Sequence, residues 1–250
     1  MKEFTLMLLA HTLGDYYFQP QCLARLKSKS TWYVLIHALI YALSMFATTL
    51  VYRSDAYFSA VVFATFTHAF IDIGKQLILN AAAKRGTLTV RQERAFYLWD
   101  QVAHLAIILV VSLASASVEQ GASLEFLEST LPKLIGLGGY ELITLITALL
   151  AVMKPANVFI KKVLVTEKPD EETDKRLRHG GSIGVLERIV VIVMLYLGQY
   201  AAIALVFTAK SIARFKDFEN RSFAEYYLCG TLLSVVTTVA VFGMLKIFGA

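Results

Sequence analysis

Seven stretches of the chain are apolar over most of their length, and more polar segments separate them. Each stretch has about 18–25 residues, which as an α-helix is long enough to cross a hydrocarbon core of about 30 Å. The pattern therefore predicts an all-α protein, a polytopic transmembrane helical bundle with about seven spans. The predicted spans are Phe4–Leu26, Thr31–Tyr52, Ala56–Asn80, Ala95–Ser117, Gly138–Lys161, Ile183–Thr208 and Ala224–Phe248.

The first predicted span differs from the others because polar residues interrupt it. It is apolar as far as Leu13, but His11, Asp15 and Pro20 break the pattern. Irregular backbone is tolerated at membrane depth only where protein covers it. We therefore expect this segment to be a tilted, kinked or re-entrant helix that its neighbours bury.

The polar stretch after the fourth span divides the chain into two halves. Residues 1–117 are predicted to form a four-span membrane domain that is rich in His and Asp. Residues 118–250 are predicted to form a three-span membrane region with a cytoplasmic loop at 165–181. That loop is rich in charged residues and ends in two glycines, Gly180 and Gly181, which is typical of a solvated turn.

The composition supports the membrane class and excludes several others. Apolar residues make up 57% of the chain and charged residues 17%, against roughly 45–50% and about 25% in an average soluble domain. The N-terminal segment lacks the basic start and cleavage site of a signal peptide. The two cysteines, Cys22 and Cys229, fit no zinc or redox spacing. The chain also contains no P-loop and no glycine-rich dinucleotide fingerprint.

The positive charges lie mainly in the connections between spans, so the net charge of +5 does not indicate nucleic-acid binding. Cytoplasmic loops of membrane proteins are enriched in Lys and Arg. The basic connections after the first, third and fifth spans should therefore be cytoplasmic, with the N-terminus outside and the C-terminus inside. The connection at 209–221 is also basic, yet alternation of the spans places it outside. Either one span is miscounted, or these cations serve another purpose.

Histidine and aspartate occur in pairs, four residues apart, inside three of the apolar stretches. Residues at this spacing lie on one face of a helix. Ionisable groups rarely persist in hydrocarbon without a partner or a function. Their distances from the basic connections, about 9–18 Å along a helix, place the pairs in the same half of the membrane. We therefore expect one shared polar site formed by His11/Asp15, His68/Asp72, Asp100/His104 and the nearby His37.

Several chemistries fit such a site. Histidine nitrogens and carboxylate oxygens bind divalent metals, here zinc, manganese or iron. We predict a metal centre with all three pairs as ligands, and with Asp15 and His37 as catalytic groups, His37 being a further ligand or a general base. A proton relay through the same side chains is an alternative. In a third interpretation each aspartate only orients and neutralises the histidine of its own pair.

Other polar and aromatic residues near the pairs are assigned to the membrane surface. Lys75 follows Asp72 by three residues and could pair with it, but extension of its ammonium group to the cytoplasmic surface is favoured. Tyr16, Tyr17 and Trp99 are expected to be interface aromatics.

Four motifs together resemble a bacterial membrane family known as domain of unknown function 3307. They are HTLGDYYFQ at 11–19, His37, HAFID at 68–72 and DQVAH at 100–104, and the resemblance covers roughly residues 1–117. Longer members share features of the second half, at 184–188, 209–215 and 225–234. The resemblance implies a membrane protein and supplies no activity. The His/Asp layout is also loosely similar to that of predicted membrane-bound metal-dependent hydrolases.

The second half has one candidate site, near the end of the sixth predicted span. Lys210 and Arg214 are four residues apart, and with Ser211 they could bind a phosphate or an anionic lipid headgroup. The alternative is that these residues anchor the helix at the interface, with Glu225 pairing to Arg221 one turn earlier. If both cations share a face, an acidic group should lie between them, and Glu187, Glu219 and Glu225 are the candidates.

These observations predict a multi-pass protein of the bacterial inner, cytoplasmic membrane. The favoured function is a metal-dependent hydrolase that acts on a lipid-like or membrane-embedded substrate, with membrane lipid as its partner and no nucleic acid. The alternatives are a proton- or ion-coupled transporter that uses the same cluster, and a membrane subunit with a structural metal. A transporter needs a water path to both faces, whereas an enzyme needs an opening to one face or to lipid.

Overall fold

The protein is almost entirely helical. The computed structural model describes residues 1–27, 30–86, 89–118, 122–123, 128–129, 137–164, 171–213, 215–219 and 221–249. The helices in these ranges are α1 (Lys2–Thr12), α2 (Gln21–Leu26), α3 (Thr31–Thr49), α4 (Asp55–Lys84), α5 (Val90–Val118), α6 (Gly139–Leu164), α7 (Glu171–Tyr196), α8 (Tyr200–Ala213) and α9 (Arg221–Phe248). Two short strands, β1 (Tyr52–Arg53) and β2 (Ala122–Ser123), pair antiparallel.

Five of the described helices are long and apolar enough to cross a membrane, namely α3, α4, α5, α6 and α9. The shortest of them, α3, has 19 residues, or about 28 Å of helix. The prediction of an all-α transmembrane bundle is therefore confirmed. The first and sixth predicted spans are not single continuous α-helices.

The chain divides into two compact units at a point inside α6, and not near residue 117. Unit 1 comprises Met1–Thr147 with Ile247–Ala250, and unit 2 comprises Ala148–Lys246. In unit 1, α1 packs against α3 and α5, and α4 packs against the same two helices, so the four form a bundle. Nearly all residues of helix α1 are buried, as expected for a helix that its neighbours enclose.

The end of α1 widens into one π-helical turn, Leu13–Tyr17. The N–H of Phe18 donates to the carbonyl of Leu13 at 2.8 Å, and Pro20 then caps α2. Gly14 allows close packing here, because a Cβ atom at this position would lie 3.1 Å from Cδ2 and 3.3 Å from Cα of Tyr41 in α3. The expected kinked, buried first segment is thus confirmed, and its irregular turn places Asp15 against the neighbouring helices.

In unit 2 the sixth predicted span, Ile183–Thr208, is not one helix. α7 ends at Tyr196 and α8 begins at Tyr200, and Gly198 between them has a φ of +67°, which glycine adopts without strain. Lys210 Nζ lies 2.6 Å from Glu187 Oε2. These two residues are nearly equally far in sequence from the turn, so α7 and α8 run antiparallel as a helical hairpin.

The predicted loop at 165–181 is also shorter than expected. Helix α7 already begins at Glu171, so the expectation of a solvated turn is wrong from that residue on. Residues 165–170 lie outside the described ranges.

The hairpin explains the basic connection at 209–221. α8 ends at Ala213, about as far in sequence from the turn as Gly184 is in α7. The cations at 209–221 are therefore returned toward the side on which the apolar part of α7 begins. One span was therefore miscounted, and the basic connection no longer conflicts with the positive-inside tendency. The C-terminal end agrees: in unit 1 the hydroxyl of Thr5 donates to the carbonyl of Gly249 at 3.4 Å, and the Phe4 and Phe248 rings are 5.8 Å apart. The prediction of termini on opposite sides is wrong, since both ends lie together.

Cysteine labelling should report this arrangement. In a chain whose Cys22 and Cys229 are changed to serine, a cysteine at Phe215 should resist a membrane-impermeant maleimide in intact cells, as one at Arg85 should. A cysteine at Arg53, at the opposite end of α4, should react. Labelling of the Phe215 position as readily as the Arg53 position would contradict the hairpin.

Candidate functional site

The His/Asp residues of the first half converge inside unit 1. Six of the seven are buried, and the side chain of the seventh, Asp15, is 11% exposed. In three groups of the described residues, ligand atoms from two to four helical segments lie within 4.8 Å of one another, so the expected convergence of the pairs is confirmed. The contributing segments are α1 with His11, the π-helical turn with Asp15, α3 with His37, α4 with His68 and Asp72, and α5 with Asp100 and His104.

Asp15 is the centre of this cluster. Its Oδ1 lies 2.9 Å from Nε2 of His68 and 3.3 Å from Nε2 of His37. Its Oδ2 lies 3.9 Å from Nε2 of His11, its partner in the sequence pair. One carboxylate therefore faces three imidazole rings from three different helices, which the spacing along a single helix could not reveal.

The imidazole rings are fixed by stacking. The ring of His68 lies between Tyr41, with centroids 3.5 Å apart, and His104, with centroids 4.2 Å apart, and both pairs are nearly parallel. Both ring nitrogens of His104 are buried and have no hydrogen-bond partner among the described residues. The same holds for the Nδ1 atoms of His11, His37 and His68. Buried polar atoms without partners are costly, and a bound cation would satisfy some of them.

Among the described residues, three groups of side chains have the donors to hold a metal ion. The largest consists of His11, Asp15, His68 and His104, with three nitrogen donors and one oxygen. Metal–ligand bonds of about 2.0–2.2 Å bring tetrahedral ligands to roughly 3.4 Å from one another, so these four would close in slightly on binding. The smaller groups are His37, His68 and Asp72, and Asp72, Asp100 and His104.

Two lysines that sequence reasoning did not place in the site neutralise the other two carboxylates. Lys75 Nζ bridges Asp72 Oδ1 at 2.9 Å and Asp100 Oδ1 at 2.8 Å. Lys27 Nζ pairs with Asp72 Oδ2 at 2.5 Å. The expectation that Lys75 extends to the cytoplasmic surface is therefore wrong. Asp72 and Asp100 are engaged by ammonium groups, whereas the charged partners of Asp15 among the described residues are imidazoles. The group around Asp15 is therefore the better candidate for a metal.

The two lysines also mark the open side of the site. Their side chains are 13% and 23% exposed, and beside them the Tyr16 hydroxyl donates to Gln101 Oε1 at 2.7 Å. The amide of Gln101 in turn donates to Asp100 at 3.0 Å. Tyr16 thus belongs to the polar network and is not an interface aromatic, whereas Trp99 is 73% exposed as expected.

Toward the other end of the bundle the packing is closed. Met45, Tyr57, Val61 and Ile108 are each at most 1% exposed, and the Tyr57 hydroxyl donates to Thr48 at 2.8 Å. The site is therefore partly exposed at the lysines, whereas the side chains at the opposite end of the bundle are buried.

A bundle of membrane-length helices around a buried cluster of His, Asp and Lys defines a polytopic membrane protein with an intramembrane polar site. The chain belongs to the family described as "Protein of unknown function (DUF3307)", whose profile matches residues 4–131, just over half of the chain. The matched region contains every residue of the cluster. Searches of curated proteins and of solved structures gave no match.

The predicted anion site of the second half lies in unit 2. Lys210 Nζ pairs with Glu187 at 2.6 Å and donates to Thr231 at 3.2 Å, while the Ser211 hydroxyl donates to the carbonyl of Phe207. Arg214 lies outside the described residues. The expected acidic partner of Lys210 is therefore Glu187, and a headgroup at Lys210, Ser211 and Arg214 stays a prediction. The predicted pairing of Arg221 with Glu225 is confirmed at 3.0 Å.

Proposed function

We propose that the cluster in unit 1 binds a divalent metal ion, and that the protein is a metal-dependent hydrolase of the bacterial cytoplasmic membrane. The observation that carries this proposal is the group of His11, Asp15, His68 and His104, whose donors from three helices and the π-helical turn face one another in a buried space. Zinc, manganese and iron suit such nitrogen and oxygen donors. When bound, such a metal ion lowers the pKa of a coordinated water and polarises a carbonyl or phosphoryl oxygen.

The remaining side chains have positions suited to hydrolysis. His37 Nε2 lies 3.3 Å from Asp15 and 3.4 Å from Asp72, so both carboxylates orient its N–H. Its Nδ1 has no hydrogen-bond partner among the described residues and is the nitrogen that can accept a proton from water. Lys27 and Lys75, on the open side, can stabilise negative charge that develops on the substrate.

The substrate is proposed to be a lipid-like or membrane-embedded molecule. The open side carries the lysines and lies toward the basic connection that follows α4, near the membrane–water interface where the polar and apolar parts of a lipid meet. The outer faces of α4 and α5 expose large apolar side chains, including Phe66, Phe70 and Val102, as lipid-facing surfaces do. An amphiphile could therefore reach the lysines without leaving the bilayer.

The second candidate is a proton- or ion-coupled transporter. It is favoured by Lys75, whose ammonium group bridges two carboxylates at 2.9 and 2.8 Å and could exchange with a proton or cation. The sealed packing around Met45 and Tyr57 favours the hydrolase, because transport requires access from both faces.

The test uses the full chain in nanodiscs made from bacterial phospholipids, loaded in turn with zinc, manganese and iron(II). Mass spectrometry should detect metal-dependent release of lipid fragments by the wild type. His37→Gln should lower this rate by about 100-fold or more while metal content is retained, and Leu43→Ala, a lipid-facing control that is 65% exposed, should not. Metal-dependent ion movement in proteoliposomes without any lipid product would support the transporter instead.

A further inference from the structure

Unit 2 contains a buried arginine that the proposed function does not use. Arg188 in α7 is only 3% exposed. Its Nε donates to the carbonyl of Val152 in α6 at 2.6 Å, and its Nη1 donates to the hydroxyl of Ser234 in α9 at 3.2 Å. Its Nη2 is also buried and has no hydrogen-bond partner in the part of the chain that the structure describes.

The surrounding helices leave space for the guanidinium group. Gly184 lies one turn before Arg188, and a Cβ atom there would be 3.1 Å from Nη1. Pro155 interrupts the hydrogen-bond ladder of α6 within one turn of Val152, which makes carbonyls of this turn more accessible to an outside donor. The position of the guanidinium thus depends on Gly184 in its own helix and on one turn of α6.

A second cation lies beside it. Lys210 Nζ contacts Glu187 and donates to Thr231 Oγ1. Thr231 and Ser234 are three residues apart on α9, so they share a face of that helix, and Lys210 and Arg188 both donate to this face. We call Glu187, Arg188, Lys210, Thr231 and Ser234 the basic cluster. It contains two cations and one carboxylate, and that carboxylate is engaged by Lys210.

This charge balance calls for an anion. The two described bonds of Arg188 go to an uncharged carbonyl and an uncharged hydroxyl, so they do not neutralise its charge. A cation kept at membrane depth is costly unless it is paired. The free Nη2 group provides a directed donor, and guanidinium groups bind phosphate oxygens particularly well.

We propose that the basic cluster binds a phosphate-type anion, with Arg188 Nη2 and Lys210 Nζ as the principal donors. The hydroxyls of Thr231 and Ser234 complete the set. The anion comes either from a phospholipid headgroup or from free phosphate. Lys210 lies near the end of α8, where the basic connection at 209–221 begins, and either source would enter from that side. The proposal is independent of the metal centre in unit 1.

The experiment measures anion binding by the full-length protein in neutral detergent. Native mass spectrometry and thermal unfolding are recorded with added phosphatidylglycerol, with phosphatidylcholine and with inorganic phosphate. The wild type should bind phosphatidylglycerol or phosphate, with a raised unfolding temperature, and should not respond to phosphatidylcholine. A response to phosphatidylglycerol alone identifies a lipid, and one to phosphate alone identifies the free ion.

Three variants decide whether Arg188 carries the binding. Arg188→Gln should lower the affinity for the anion that the wild type binds by at least about 10-fold, which corresponds to about 1.4 kcal/mol. Arg221→Gln removes an exposed cation at the end of the basic connection at 209–221 and should leave the affinity unchanged. Gly184→Ala, which crowds Nη1 but keeps every charge, should also weaken binding and serves if Arg188→Gln does not fold. Absence of anion binding by the wild type, or equal binding by the wild type and Gly184→Ala, would overturn the proposal.

Discussion

Replacing Asp15 with asparagine should reduce the affinity of the protein for the proposed metal ion by about 100-fold or more. In the part of the chain that the structure describes, Asp15 is the carboxylate of the cluster whose charged partners are all imidazoles, with His68 at 2.9 Å and His37 at 3.3 Å. The amide of asparagine is uncharged and is a poor ligand for zinc, and changes to residues that merely support a ligand already cost about 10–100-fold in affinity. Elemental analysis of purified protein, followed by titration calorimetry of the metal-free form, measures the effect.

The matched control is Asp55→Asn at the first turn of α4, which removes a carboxylate of the same helix bundle far from the cluster. Its metal content should equal that of the wild type. Equal metal content in all three proteins would remove Asp15 from the ligand set. A wild type that binds no metal would instead favour a proton relay or a structural polar network.

Replacing Lys75 with methionine should strongly destabilise unit 1. The change removes the cation that joins Asp72 and Asp100, at 2.9 and 2.8 Å, and leaves Asp100 without its ion-pair partner in a buried position. Loss of one partner of a buried ion pair typically costs about 3–5 kcal/mol. The free energy of unfolding in detergent, or the unfolding temperature, reports the loss.

Two further measurements identify the cause. Adding Asp100→Asn to the Lys75→Met variant should recover a large part of the stability, because the carboxylate that lost its partner is then neutral. Lys84→Met, near the exposed end of the same helix, should have little effect. A double variant as unstable as Lys75→Met alone would show that the lysine acts through packing and not through charge.

The helical bundle and the convergence of His and Asp could be predicted because two strong constraints act on the sequence. A helix that crosses a bilayer needs a long apolar run, and this run is visible at α3, α4 and α5. An ionisable group inside such a run must face protein, so His68 and Asp72, on one face of α4, indicate where that face points. The depth of each pair followed from the fixed rise per residue.

The role of the lysines could not be predicted in the same way. Lys27 belongs to a short polar connection, where a cation normally marks the cytoplasmic side, and nothing in its spacing relates it to Asp72. Lys75 lies near a helix end, where a long side chain can reach either water or a buried carboxylate. The packing of α4 against α5 brings Asp100 to Lys75, and only this packing shows that the side chain reaches the carboxylate and not water.

The α7–α8 hairpin was missed because hydropathy records apolar length and not direction. The stretch Ile183–Thr208 is apolar enough to be one span, and the only local signal against it is Gly198 followed by Gln199. Glycine in an apolar helix is common in membranes, so its presence alone did not indicate a reversal. The basic connection at 209–221 is the better signal, because it conflicts with a location on the outer side of the membrane. A chain with one crossing fewer before this connection removes the conflict.

The hairpin also has a consequence for how this protein family can vary. A segment that enters and leaves the bilayer on the same side is topologically neutral: its loss or gain changes the length of the chain but not the direction of any later crossing. Chains with and without α7 and α8 would therefore keep the orientation of α9 and expose the C-terminus to the same compartment. A single crossing in the same place could not be added or lost in this way, because its gain or loss would reverse the membrane orientation of α9 and move the C-terminus to the other compartment.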